Sequence, residues 1–269
     1  MRILFCGDVV GRTGRKAITD YIPTLRKELD LDFVIVNGEN SASGFGITEK
    51  ICDSFVKVGV DVITGGDHIF DQKEVMFFID KYPKLLRPEN LPSRLPGKGF
   101  NIFEARGGKK ILVIHLHAQL FMKLNVNCPF ETADKILAKY ILGKDIDAIF
   151  VDFHGEATSE KMAMGQFLDG RISSISGTHT HVPTSDVFIM PNGTAYQTDA
   201  GMCGDYNSII GFNKDGSLPG FINKVRREKL EVATNDATLC GLFVETDDKT
   251  GLAVRTYPIR RGGQLQPCG

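Results

Sequence analysis

Short runs of β-branched and apolar residues alternate with amphipathic stretches along the first part of the chain. Residues 3–5, 33–37 and 60–64 read as buried strands, apolar or nearly so throughout. Between the first two, residues 11–29 carry Ile18, Ile22, Leu25 and Leu29 at helical spacing with charges between them. Ile51, Phe55 and Val58 repeat that spacing before the third run. Strand–helix alternation of this kind predicts a parallel sheet with right-handed crossovers.

The pattern then changes. Residues 82–110 contain Pro83, Pro88, Pro92 and Pro96 and read as an extended connection between two halves of one domain. Residues 100–104 and 110–116 form a predicted strand pair, with Ala105-Arg106-Gly107-Gly108-Lys109 as its turn. Helical spacing returns over 131–142. A buried strand follows over 148–153, then a helix over 158–168 and a strand over 171–175. The last third is strand-rich, with runs at 187–190, 194–197, 231–245 and 252–259, while 199–220 fits neither template and reads as a long loop. Two β-rich layers with helices outside are the expected architecture.

Composition narrows the class without deciding it. The chain has 269 residues, 42% hydrophobic and 24% charged, as expected of one globular domain spanning 1–269. A net charge of -1 provides no whole-protein field for gathering nucleic acid or anionic membrane, so a nucleic-acid partner is open but unsupported. No apolar run approaches the roughly 18–20 residues that span a bilayer. An acid at Asp8 arrives too early for a secretory core, and six cysteines are scattered without a CxxC pair. Reduced thiols in a cytoplasmic protein are the expectation.

The chemistry is placed at the strand ends. Gly7-Asp8, Gly38-Glu39 and Gly66-Asp67 follow three successive strands, so the three carboxylates fall along the carboxyl rim where open α/β sheets bind ligands. One such ending is ordinary turn chemistry. Three in a row would repel one another without a cation. His154 ends the strand over 148–153, and Gly177-Thr178-His179-Thr180-His181 ends the next. A lone HxH pair in a loop could be solvated. Gathered with Asp8, Glu39, Asp67, His68, His154 and neighbouring Asn40, it points to mixed carboxylate–imidazole ligation of Mn, Fe or Zn. The donors are too many for one tetrahedral ion and suit two ions about 3.5–4 Å apart.

In this order the motifs resemble those of the calcineurin-like metallophosphoesterases, and within them a bacterial YmdB-type phosphodiesterase branch. Asp8-Val9-Val10-Gly11, Asn37-Gly38-Glu39-Asn40, Asp152-Phe153-His154, Thr158-Ser159-Glu160-Lys161 and Thr198-Asp199-Ala200-Gly201-Met202 are similar to that branch's own wording. The resemblance runs from Arg2 to about Gly211. It implies an α/β fold, a four-layer αββα sandwich. It also implies that Asp8 and His181 hold one metal, Glu39 bridges, and Asp67, His154 and His179 hold a second. An iron or manganese pair is the implied cofactor, and small phosphodiesters such as 2′,3′-cyclic AMP the implied substrates. The two metals would activate a bridging water for in-line attack on phosphorus, His68 would act as general acid, and Asn40 would ligate or donate to a phosphoryl oxygen. A homo-oligomer is the expected assembly.

The sequence departs from the wider pattern twice. Val10 stands where most metallophosphoesterases have a histidine, a loss shared by the branch, and Asn40 is available to fill the gap. The family's Gly-Asn-His reads Gly66-Asp67-His68, exchanging an amide ligand for a carboxylate. Competing readings are a phosphomonoesterase on the same site, or a regulatory RNA- or protein-binding module with structural metals. His115 and His117 form a second HxH but read as strand-end residues. Asp152 is either a partner to a ligand or a solvent-facing acid, and Arg260-Arg261-Gly262-Gly263 reads as a solvated end.

Overall fold

Along each long strand, side chains alternate between two different cores, and this alternation separates the layers. The computed structural model describes residues 1–224 and 230–269. The first half contains β1 (Arg2–Cys6), β2 (Asp8–Val9), α1 (Gly11–Glu28), β3 (Phe33–Asn37), α2 (Glu49–Lys57), β4 (Val62–Thr64), α3 (Val75–Phe78), β5 (Leu85–Leu86), β6 (Phe100–Glu104) and β7 (Lys110–His117). There follow α4 (Pro129–Leu137), β8 (Ala148–His154), α5 (Thr158–Leu168), β9 (Ser174–Thr178), β10 (Phe188–Ile189), β11 (Ala195–Gln197), β12 (Met202–Cys203), α6 (Lys214–Asn223), β13 (Leu239–Thr246) and β14 (Ala253–Arg261).

Two six-stranded sheets result, ordered β14-β13-β1-β3-β4-β5 and β10-β11-β9-β8-β7-β6, with β2 and β12 paired separately. Leu4 and Cys6 of β1 point outward into a core shared with Ile18, Ile22 and Leu25 of α1 and Phe55 of α2. Ile3 and Phe5 point inward, against Ile111 and Val113 of β7 and Phe150 of β8. On the far side Leu112 and Ile114 meet Ala133 of α4 and Met164 of α5. Helix, sheet, sheet, helix is therefore the layer order, the αββα sandwich expected. Phe5 and Phe150 touch across the sheets, ring centroids 4.9 Å apart.

The inward face is apolar at one end only. Continuing along the same parity, β3 goes from Ile35 to Asn37, β4 from Val62 to Thr64, β7 from Val113 to His115 and His117, and β8 from Phe150 to Asp152 and His154; all four polar ends are buried. The polar end is the carboxyl end of the parallel strands, and the site lies there.

Several predicted boundaries move. Within 82–110, Leu85–Leu86 joins the first sheet as β5, because two apolar residues suffice to extend a parallel edge. The strand predicted over 231–245 occupies only Leu239–Thr246. The loop predicted over 199–220 contains β12 and leads into α6, whose Asn213 side chain caps it by accepting from the Asp215 amide. Arg260 and Arg261 do not form a free tail: both lie in β14, and Arg260 pairs with Cys268.

Candidate metal centre

Each sheet contributes one kind of donor. The first sheet's strand ends and β2 place Asp8, Glu39 and Asp67; the second places His154 at the end of β8 and His179 and His181 just after β9. They meet at the seam. Glu39, Asp67, His154 and His179 present ligand atoms all within 4.8 Å of one another, and Asp8, Glu39 and His181 form a second such group. Glu39 belongs to both.

Hydrogen bonding fixes which face of each ring is free. The Thr178 hydroxyl donates to Asp152 Oδ1 at 2.7 Å and accepts from His154 Nδ1 at 2.8 Å. The lone pair of His154 is thereby left on Nε2, which faces Asp67 Oδ1 at 3.0 Å, Glu39 Oε2 at 3.2 Å and His179 Nδ1 at 3.2 Å. His181 Nδ1 donates to the Ile210 carbonyl at 2.8 Å, so its Nε2 lone pair faces the Asn40 amide oxygen at 3.1 Å. Converging lone pairs repel unless a cation lies among them. Gaps of 3.0–3.5 Å match the edges of a polyhedron whose metal–ligand bonds are about 2.0–2.2 Å. Asp8 Oδ1 is fully buried and has no hydrogen-bond partner among the described residues. The donor set fits metal ions.

The electrostatics agree. Burial first, and the Glu39 charge second, push the Asp8 carboxyl well above its ordinary range. Burial alone would lower His154, yet Glu39 and Asp67 hold it well above its usual value. Burial would raise Asp67, but its contacts to His154 and His179 hold it below the usual carboxylate range. In the metal-free chain protons on Asp8 and His154 offset this concentration of carboxylates, and a bound cation would supply the same positive charge in their place.

Gly66 makes room for this. Its φ is +55°, and a Cβ there would lie 1.8 Å from Glu39 Oε2. Its amide donates to His115 Nε2 at 2.9 Å, which anchors the turn carrying Asp67 and His68. His115 and His117 are buried at the end of β7 and belong to neither donor group. Asp152 is fully buried and takes hydrogen bonds from Thr178, Thr64 and Asn37, so the solvent-facing alternative is excluded.

His68 stands beside the donors and is partly exposed, with Nδ1 2.7 Å from Asp71 Oδ2 and Nε2 4.0 Å from Asp67 Oδ2. Sequence reasoning missed Asp71, although its i+3 spacing from His68 was a usable signal. It also missed Glu156, whose Oε2 lies 3.5 Å from His179 Nε2, and it assigned no role to Lys123. Lys123 and Glu156 line a cavity of ≈ 510 Å³ that opens over His68, His179 and His181. Its other wall is aromatic. Phe45 stacks on Phe212 at 5.4 Å and meets the His68 ring edge-on at 5.1 Å.

Fold and site together define a protein of the metallophosphoesterase type. The chain belongs to the YmdB-like protein family, whose model matches residues 4–259. It is 45% identical over 259 residues to a 2′,3′-cyclic-nucleotide 2′-phosphodiesterase of Bacillus subtilis, covering 96% of each chain. A crystal structure of a novel phosphatase from Mycoplasma pneumoniae superimposes with a TM-score of 0.90 at 36% identity, covering 97% of this chain and 93% of that one. A hypothetical protein from Thermus thermophilus gives a TM-score of 0.90 at 37% identity, covering 98% of this chain and 100% of that one. Among the described residues no helix is long and apolar enough to cross a membrane.

Proposed function

We propose that this chain is a two-metal phosphodiesterase, a hydrolase acting on small phosphodiesters of the 2′,3′-cyclic nucleotide kind. The observation that carries the reading is the pair of donor groups sharing Glu39. Asp8, His181 and the Asn40 oxygen would hold one ion, Asp67, His154 and His179 the other, with Glu39 between them. Mixed oxygen and imidazole donors suit iron or manganese. Such a pair, when bound, supplies Lewis acidity toward a phosphoryl group and a deprotonated water near neutral pH.

The remaining roles fall to side chains. Asp71 accepts from His68 Nδ1 and so orients the ring, leaving Nε2 toward the centre to hand a proton to the departing alkoxide. One Asn40 amide hydrogen is committed to the Gly44 carbonyl at 3.1 Å, and the other, without a partner among the described residues, would serve a phosphoryl oxygen. The Phe45–Phe212 shelf suits the flat face of a nucleobase. A single domain accounts for the site, since both sheets supply donors. Six thiols without a disulfide among the described residues support a cytoplasmic setting, and the apolar Phe221 and Ile222 exposed on α6 support a homo-oligomer.

Metal analysis of the purified chain, coupled to turnover of 2′,3′-cyclic AMP, AMP and bis-p-nitrophenyl phosphate, tests this. Two metals per chain and turnover of the diesters above AMP are expected. Preference for AMP would make the protein a phosphomonoesterase, a reading that the Mycoplasma relative's description as a phosphatase favours. Full metal with no turnover would leave a binding module.

A further inference from the structure

Two stretches that mark the branch, Thr158-Ser159-Glu160-Lys161 and Thr198-Asp199-Ala200-Gly201-Met202, supply no donor to the centre. The structure brings them together beneath it. Lys161, on α5, is 1% exposed, and its Nζ donates to Asp199 Oδ2 at 2.8 Å; Asp199 is 0% exposed. A fully buried lysine is uncommon, and a buried ion pair is weak evidence for stability, because well-packed apolar residues often replace one at no cost. The pair therefore needs another reason to be there.

Its position supplies one. The same Asp199 oxygen accepts the Thr180 amide at 3.1 Å, and Thr180 lies between the two histidine ligands. Asp199 is itself fixed on three sides: Oδ1 accepts from the Gly201 amide at 2.8 Å, its own amide donates to Thr184 Oγ1 at 2.9 Å, and its carbonyl accepts from the Thr184 amide at 3.0 Å. Above it, His179 has φ +104° and His181 has φ +65°. Residues with a Cβ rarely adopt such backbone, and it persists only where surroundings over-determine it. The surroundings here are few. The His179 amide donates to Asp8 Oδ2 at 3.0 Å, the His181 ring donates to the Ile210 carbonyl, and the Thr180 amide donates to Asp199. The Lys161 stem also runs under the loop's root, where a Cβ on Gly177 would lie 2.9 Å from Lys161 Cδ.

We infer that the buried Lys161–Asp199 pair is the positioning device for the His179–His181 loop, and through it for the retention of metal at both positions. It rests on the reading of His179 and His181 as ligands to different ions. Lys161 neutralises Asp199 so that its carboxylate can hold the Thr180 amide without adding another unpaired negative charge beside Asp8. Removing the lysine leaves Asp199 either to take up a proton or to repel the carboxylates of the centre. Either outcome releases the loop toward ordinary backbone angles and turns the imidazoles away.

The test uses the full chain loaded with Mn²⁺, and reads metal per chain after dialysis against graded EDTA, with circular dichroism to establish folding. Lys161→Met keeps length and loses the charge; a 10–100-fold loss of metal affinity is expected, the usual effect of removing a group that orients a ligand. Asp199→Asn, which keeps the shape, should lose metal likewise and serves if Lys161→Met does not fold. Met164→Ala, a cavity variant in the same helix, should lower stability and leave metal retention unchanged. A folded Lys161→Met or Asp199→Asn that holds Mn²⁺ as tightly as the parent overturns the inference, as does an equal loss in Met164→Ala. A parent chain that binds no metal would instead overturn the functional reading beneath it.

Discussion

At the scale of single residues, the hydrogen bonds around each ring decide the chemistry more than the rings themselves. Thr178 and the Ile210 carbonyl leave His154 and His181 with their lone pairs facing the carboxylates and Asn40. His68 differs, because its Nδ1 is held by the exposed Asp71 while its Nε2 is left toward Asp67 and the cavity. His68→Ala should therefore leave metal content nearly intact and cut turnover ~10²–10⁴-fold. The loss should shrink on bis-p-nitrophenyl phosphate, whose leaving group needs little protonation; equal losses on good and poor leaving groups would remove His68 from the acid role. Asp67 makes a different prediction. It supplies a third carboxylate beside Asp8 and Glu39, with Oδ1 3.0 Å from His154 Nε2 and 3.5 Å from His179 Nδ1. A more anionic set of ligands binds cations more tightly and holds the proton of activated water more firmly. Asp67→Asn should keep the fold, lose metal to chelators more readily and lower the pH at which the rate half-rises. An unchanged pH–rate profile with unchanged retention would take Asp67 out of the ligand set.

At the scale of elements, β7 and β8 explain why histidines crowd the seam. Parallel pairing sets His115 beside Asp152 and His117 beside His154, all on the inward face. His117 donates from Nδ1 to the Ala118 carbonyl at 2.5 Å, and its Nε2 has no partner among the described residues. Burial first, and in the metal-free chain the His154 charge second, push it down to about 4. An unfolded histidine takes up its proton near 6.5, so acidification from 6.5 toward 4 favours the unfolded chain. Stability from a neutral His117 is thus present above 6.5 and lost as pH falls through that window, on the order of 3 kcal/mol for a shift of this size. His117→Gln should flatten the pH dependence of urea unfolding between 4 and 6.5. A curve as steep as the parent's would place the acid sensitivity elsewhere.

At the scale of the whole molecule, the centre exists only when the two sheets are packed, because one brings carboxylates and the other imidazoles. Asp152 of β8 ties them, accepting from Asn37 of β3 at 3.1 Å and Thr64 of β4 at 2.5 Å. The Phe5–Phe150 contact closes the apolar end of the same interface. Phe150→Ala should cost about 3–5 kcal/mol, the range for truncating a buried aromatic. Metal that binds only the folded chain should restore part of this by mass action. Urea midpoints with Mn²⁺ and with EDTA measure both effects; a midpoint that ignores Mn²⁺ would mean that the ions do not bridge the sheets.

Much of this was legible in the chain itself, because it is local. Apolar periodicity marks β3, β8 and α1, and a glycine followed by an acid marks three strand ends in a row, so the donors Asp8, Glu39, Asp67, His154, His179 and His181 could be gathered without coordinates. α6 was not legible. Its helix carries Gly216 and Pro219 and leaves Phe221 and Ile222 exposed, so no amphipathic period marks it. The partnership of Lys161 with Asp199, 38 residues apart, was also hidden, since sequence spacing says nothing about which buried charges meet. Nor does residue type reveal that His179 and His181 take positive φ, which the packing of β9 against β8 and β11 and the hydrogen bonds of Asp8 and Asp199 impose. Sequence determined which side chains stand at the strand ends; the packing of one sheet on the other decided which of their lone pairs converge.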